Sequence, residues 1–491
     1  MYKATSSHQI TFHDFNQSCG MQLDMGNGWC RLAHSIDWAV AEELYARNFP
    51  SRKGHPAFPV RMALGALIIQ KRTGLSDRAL VKAVAENPYF QYFIGMESFS
   101  GGCPFTYSTL AGFRKRLTAE ILMKINESFL AAAEPTPEHG GGRRKVKAKQ
   151  EEMRQEEANE GTAILDATCP PSNIRYPQDF SLLDEAREKL DLMIDALHKR
   201  MDGGAHRPRT YRRVMRKAYL EAAKAKSRPA KKVRSLIYKE LCAVKRNIAF
   251  VDGYLARGGS LTAAQAKRLG TIRELYRQQK EMFDERKRRV DDRIVSVPQP
   301  HVRPIVRGKA KAPVEFGAKY DVSVDEKGHA RIEKLSFDAY NECGVLKDAL
   351  ERYRARTGHY PRKVLVDRIY RTKENRDWCK ARGISMSGRG PGRPPKDGGA
   401  EAKREERRDD VARNEVERFF SREKRTCGAA LVVAKLACTT LAGIALSVFV
   451  ANLFGVPLAG GAYFIVYFAD GPGTAPEWHF CEFPDNQEDV A

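Results

Sequence analysis

The ten cysteines of this 491-residue chain include no CxxC pair and no Cys/His cluster. That absence excludes a zinc module of the usual spacing and a disulfide framework, and it makes a reducing cytoplasm the simplest expected home. The first residues, Met1 to His8, lack a positive-then-apolar segment, so export is not expected. Acidic charge is scarce: 61 Asp+Glu stand against 84 Lys+Arg, for a formal charge of +23 and a pI near 9.6. Such an excess suits a polyanionic partner, because neutralising phosphates releases counterions whatever the base sequence. Nucleic acid is the first expectation, while a ribosomal or membrane-surface partner is also compatible with charge alone. An unbroken apolar run of membrane length is missing too. Gly428–Leu453 comes nearest, but Lys435 interrupts it and Ala434, Ala437, Thr439 and Thr440 dilute it, so no membrane span is expected.

What is present is organised around charged residues near the end of the chain. In the stretch from Arg413 to Lys424, a helix turning about 100° per residue places Arg413, Glu417 and Lys424 within roughly 40° of one another and turns Glu415 away. A carboxylate between two cations also describes an ordinary surface salt bridge. Two aspartates upstream change its meaning. Thr162-Ala-Ile-Leu-Asp166-Ala-Thr168 and Lys363-Val-Leu-Val-Asp367-Arg-Ile-Tyr370 are short apolar runs closing on Asp, the pattern of strands that present a carboxylate at a sheet edge. Three carboxylates from two strands and a helix make a hard, oxygen-only site suited to Mg²⁺ or Mn²⁺. A pair of such ions clamps the attacking and leaving oxygens of a phosphodiester.

With Arg413, Glu417 and Lys424 in an Arg-x3-Glu-x6-Lys signature, the chain resembles the DDE transposases of bacterial insertion sequences from about residue 40 to about 455. That group usually carries Tyr three residues before the Arg, where this chain has Asp410. The resemblance implies an α/β catalytic core of ribonuclease H-like type, with a mixed five-stranded sheet and helices, plus an all-α N-terminal domain. It implies Asp166, Asp367 and Glu417 as the catalytic and metal-holding triad, two Mg²⁺ or Mn²⁺ ions, and Arg413, Lys424 and Tyr370 in support. The implied partner is double-stranded DNA, as element ends and as target, bound by a homodimer or larger oligomer in the cytoplasm. The implied chemistry is strand nicking followed by attack of the freed 3′-hydroxyl on target DNA, with no covalent enzyme intermediate. A metal-dependent nuclease of the same fold and an inactive DNA-binding relic stay open as alternatives.

Taken in order, residues 1–40 offer no element. Val60–Gln70 reads as an apolar helix, Gly74 as a turn, and Ser76 as the N-cap of a helix to Asn87 ended by Pro88, a pair similar to a helix-turn-helix. A helix from Ser108 carries Arg114, Lys115 and Arg116, which either meet DNA phosphates or form a solvated face. Ala119–Ala133 reads as a structural helix. Helical pairs of this kind mostly just pack together, but the resemblance implies that residues 1–133 are an N-terminal helical DNA-binding domain; a charged linker with little apolar surface is expected at 134–160.

The catalytic domain is expected at 161–180 and 299–455, interrupted at 181–298 by a long helical hairpin insert. In that insert Ile237, Leu241, Val244, Ile248, Val251 and Leu255 recur at alternating spacings of four and three. Beyond Gly258-Gly259 the pattern resumes with Leu269, Ile272, Tyr276 and Phe283, and Thr262 with Gln265 fits a capping box. Its basic outer faces read as solubility, as a DNA clamp or as an assembly surface. Val314–Val324 predicts a strand in a hairpin turning at Asp325–Gly328, Val345–Arg356 a helix, Arg376–Arg382 another, and Ile384–Met386 a last strand. Arg389 and Arg393 lie in a Gly/Pro-rich loop suited to a narrow DNA minor groove. The tail 456–491 has no assignment.

Overall fold

The structure, a computed structural model, describes residues 22–49, 55–133, 159–202, 204, 206–306, 314–388 and 399–455. Seven helices come first among these: α1 (Gly28–Ser35), α2 (Trp38–Ala46), α3 (Val60–Thr73), α4 (Asp77–Glu86), α5 (Pro88–Phe93), α6 (Thr109–Arg116) and α7 (Ala119–Ala133). Local signals set α3 and α4. Gly74, at φ 69°, closes α3 in the left-handed conformation open to glycine, and Ser76 accepts the Ala79 N–H at the start of α4. Pro88 ends α4 and also begins α5, since a first turn has no use for the N–H that proline lacks. Helices α1 and α2 lie where no element was expected. They are too short to hold by propensity, and the burial of Trp29, Leu32, Trp38 and Leu44 is what stabilises them.

Strand β1 (Thr162–Thr168) is followed by α8 (Asp179–Met201), α9 (Arg212–Lys224), α10 (Ala230–Ala256) and α11 (Ala263–Asp284). The apolar stripes of α10 and α11 meet α8 as well as each other, with Leu241, Val244, Leu269 and Ile272 in one buried cluster with Leu183, Leu190 and Ile194. Thr262 and Gln265 exchange both bonds of a capping box at the start of α11.

Four strands come next: β2 (Arg303–Val306), β3 (Val314–Gly317), β4 (Lys319–Asp325) and β5 (Ala330–Ser336). The single strand expected over Val314–Val324 is therefore two, of which β3 pairs with β2 in a separate ribbon and β4 enters the main sheet. The break falls at Gly317, where a Cβ would lie 2.3 Å from the Pro170 carbonyl oxygen. Only a residue without a side chain lets the ribbon lean so closely on the segment leaving β1.

The chain continues through α12 (Leu346–Thr357), β6 (Lys363–Val366), α13 (Lys373–Lys380), β7 (Ser385–Met386), α14 (Gly399–Thr426) and α15 (Ala437–Leu453). Helix α13 starts ahead of the expected Arg376 because Thr372 caps it. The short helical segment expected around Glu417 is part of a 28-residue helix. The apolar run from Gly428 is helical only from Ala437, and among the described residues no helix is long and apolar enough to cross a membrane.

The main sheet is mixed and five-stranded, in the order β5-β4-β1-β6-β7, with β1 antiparallel to β4 and parallel to β6. One face buries Leu165, Val364 and Val366 against Leu346 and Leu350 of α12. On the other, Ile164, Tyr320 and Leu365 join Val416 and Phe419 of α14, Phe449 of α15 and the N-terminal helices in one continuous core. Asn452 of α15 ties these parts together, donating to Asn126 of α7 and to the Ala330 carbonyl of β5, both at 2.7 Å.

Candidate active site

The parallel pairing of β1 with β6 ends at Leu165 opposite Val366. Asp166 and Asp367 are the next residue on each strand, so register alone makes them neighbours. Their backbones then diverge. Strand β1 continues to Thr168 against β4, which leaves Asp166 inside the strand rather than at its end. Asp367 leaves β6 and caps a single helical turn, accepting the Arg368 N–H at 2.7 Å.

Helix α14 runs alongside. Lys363 Nζ meets Glu405 at 2.8 Å and Asp409 at 2.7 Å, Arg413 Nη1 lies 3.6 Å from Asp166 Oδ2, and Lys424 Nζ donates to Thr168 Oγ1 at 2.9 Å. From Asp409 to Lys424 a helix rises about 22 Å, and from Thr162, the partner of Lys363, to Thr168 a strand spans about 20 Å. The helix therefore tracks β1 in parallel along its length, and the stripe of Arg413 and Lys424 is the face it turns to the strand. Glu417 lies between them and is exposed.

Asp166 is 15% exposed. Its pKa is pushed up to about 6, first by burial and then by the negative charges of Glu417 and Asp367, against the Ala167 N–H at 2.8 Å and the Arg413 guanidinium. The three carboxylates thus share one electrostatic field. Among the described residues no group of three or more His, Cys, Asp or Glu stands close enough to hold a metal ion. The donor chemistry suits a divalent cation: the set is hard and oxygen-only, and a cation beside Asp166 would favour the charged form that burial disfavours.

The turn after Asp367 is anchored from inside the sheet. Tyr370 is buried and donates to Asp321 of β4, which also accepts from Tyr340. Asn375 Nδ2 donates to the Tyr370 carbonyl at 2.9 Å and to the Cys343 carbonyl at 2.8 Å, which joins the two loops. Asp321 carries no sequence signal of its role, because a polar residue alternating with Tyr320 and Val322 reads as facing solvent. A second buried acid, Glu423, accepts from Tyr320, and burial pushes its pKa up to about 7 against the opposing charge of Lys71. Lys71 belongs to α3 and donates to Ser447 Oγ at 2.9 Å. Sequence could have flagged neither link, since the partners lie on distant elements.

The basic residues of α6 have separate environments. Arg114 donates to Asp77 at 3.0 Å and to Gln70 at 2.8 Å, which ties α6 to α3 and α4. The Arg116 guanidinium lies 5.1 Å from the centre of the Phe49 ring. Lys115 is exposed. Arg389 and Arg393 lie outside the described residues.

Residues 17–116 match a family described as a transposase domain, and residues 364–454 match one described as a transposase DDE domain. The second match contains Asp367 and Glu417. An uncharacterized protein, ORF8 in the nfe locus of Rhizobium meliloti, is 31% identical over 160 residues, which cover 33% of this chain and 69% of that protein. No solved structure matches the chain significantly.

Proposed function

The chain belongs to the DDE transposases of insertion sequences, and from that membership we propose that it binds the ends of its element and catalyses metal-dependent DNA cleavage and strand transfer through Asp166, Asp367 and Glu417. The observation that carries this reading is the juxtaposition of Asp166 and Asp367 on parallel neighbouring strands, beside the helix whose Arg413 reaches Asp166. The strand order supports a ribonuclease H-like core: three antiparallel strands, a helix, then a strand parallel to the first. In this reading residues 1–133 form the DNA-binding domain, 134–160 the linker, 161–180 and 299–455 the catalytic domain, 181–298 an insertion built around a helical hairpin, and 456–491 a tail.

Asp166, Asp367 and Glu417 are the residues that would hold Mg²⁺ or Mn²⁺, which when bound supplies Lewis acidity toward the phosphodiester. The chain's own part is placement. Asp166 is fixed by its strand and by the Ala167 N–H. Asp367 is set by the turn that Tyr370 anchors to Asp321. Glu417 is carried by a helix pinned to the sheet at Lys363 and Lys424, and Arg413 and Lys424 supply cationic charge beside it for DNA phosphates. The substrate is duplex DNA, chromosomal or plasmid, engaged by a dimer or larger assembly in the cytoplasm.

The test uses a labelled duplex carrying the element end, with Mg²⁺ or with EDTA. Wild type is expected to nick only with metal, and Glu417→Ala to bind the end without nicking it. Nicking by Glu417→Ala at the wild-type rate removes that residue from the site. Joining of the nicked ends to a second duplex separates a transposase from a simple nuclease.

A further inference from the structure

From Arg207 to Arg234 the chain holds twelve Lys and Arg and a single acid, Glu221, so this one segment carries +11 of the protein's +23. Helix α9 sorts these cations by what they touch. Its buried side is Met215 and Tyr219, the latter packed with Phe180 and Leu236. On its flanks Arg212 meets Asp195 at 3.0 Å and Arg216 meets Glu188, which docks the helix on α8. Arg213, Lys217 and Lys224 remain. They fall within about 40° of one another and about 180° from Met215. All three are exposed, and none has an acidic partner among the described residues.

The helix starts are as one-sided as the stripe. Neither α9 nor α10 has an acid in its first turn, and exposed Lys231 and Lys232 sit in the first turn of α10. The helix dipole favours carboxylates there, so these lysines oppose local helix stability. Exposed Glu221, about 40° round from Lys217, is the one acid beside this stripe, whereas a face selected for solubility alone interleaves both signs throughout. The Arg175 guanidinium of the segment that follows β1 lies 5.7 Å from the centre of the Tyr219 ring, so α9 packs beside the chain that leaves that strand.

We propose that Arg213, Lys217 and Lys224, continued by Lys231 and Lys232, form a surface that binds the phosphate backbone of duplex DNA, apart from the carboxylate site and indifferent to base sequence. The proposal rests on the reading of the chain as a DNA-processing transposase and extends it to the helical insertion. From Arg213 to Lys224 the stripe is about 16 Å long, a reach of roughly five phosphates along one strand. Contacts of this kind hold and orient a duplex without reading it.

The test measures binding of the full chain to a fluorescent duplex that lacks element ends, in EDTA, over about 50 to 200 mM salt. The triple variant Arg213→Ala, Lys217→Ala, Lys224→Ala is expected to lower the slope of log K against log salt by about 2–3 and to weaken binding on the order of 10²-fold near 0.1 M. Its thermal midpoint should match wild type, and Arg213→Lys, Lys217→Arg, Lys224→Arg should retain the wild-type slope. A control with equal charge loss outside the proposed DNA-binding domain, Arg277→Ala (its guanidinium paired with Glu274 and Glu281), Arg354→Ala, Lys380→Ala, should leave the slope nearly unchanged. A wild-type slope in the stripe variant, an equal loss in the control, or wild-type binding to anionic phospholipid vesicles in preference to duplex overturns the proposal. A lowered slope in a chain that nicks no element end leaves this surface standing and removes the proposed activity, whereas nicking with an unchanged slope does the reverse.

Discussion

In the helical insertion, the buried Arg187 meets Asp184, Asp191 at 2.9 Å and Glu240 at 3.4 Å, while Asn247 donates to Asp191 at 3.1 Å. On the central strand of the sheet Arg413 meets Asp166 at 3.6 Å, with Asp367 and Glu417 contributing to the same field. Both clusters gather three carboxylates around an arginine, with Arg212 also reaching Asp191 at 3.9 Å in the first, and burial separates them. Glu240 is fully enclosed, and desolvation pushes its pKa up to about 8, so it keeps a proton near neutrality and the cluster closes on itself. Asp367 and Glu417 are exposed, so their negative charge faces outward. The same set of side chains is a structural element in one setting and a candidate site in the other, and the number of charges alone does not distinguish them.

The contrast is tested most strongly by Asp166→Asn. DNA cleavage is expected to fall by roughly 10³-fold or more, while stability near pH 8 rises by about 1–3 kcal/mol, because the charged form that burial disfavours is gone. Paired nicking assays and urea titrations measure both, and a loss of stability would move Asp166 into the structural class.

Arg187→Leu is expected to do the opposite. Removing the cation from three buried acids should cost about 3–5 kcal/mol in urea unfolding, with duplex binding per folded molecule preserved. A cost under about 1 kcal/mol would show that the insertion cluster does not depend on its arginine.

The smallest expected effect is one of pH. The folded-state pKa of Glu240 lies above the ordinary 4.5, so the native chain holds a proton that the unfolded chain has released. The resulting stabilisation is complete below about 4.5 and is lost as pH rises through about 8. Between pH of about 7 and 9 the wild-type urea midpoint should therefore fall relative to that of Glu240→Gln. Parallel curves for the two proteins would mean that Glu240 titrates as an ordinary surface acid.

Where a residue's signal is local, sequence and structure agree closely. Ser76 and Thr262 cap the helices they precede, Gly74 closes α3, and the Lys363–Val366 strand delivers Asp367 at its end. The differences arise where a distant element decides. Gly317 breaks a strand because the Pro170 backbone crosses it, and α1 and α2 form because their tryptophans find a core. Arg114 and Arg213 look alike as basic helix residues, yet the first is tied to Asp77 and the second meets solvent. For the site, both aspartates and the face shared by Arg413 and Lys424 were legible, whereas the Asp321–Tyr370 and Glu423–Tyr320 anchors were not.

The sequence by itself determined the helical stripes, the caps, the apolar strands ending near Asp166 and Asp367, and the excess of positive charge. All of these follow from backbone periods and local hydrogen bonding over a few residues. Only the tertiary structure decided which carboxylates share a field, which arginines are spent on internal pairs and which cations face water. Those outcomes depend on contacts between segments as much as 376 residues apart, such as Lys71 with Ser447, and on burial, which no local period encodes.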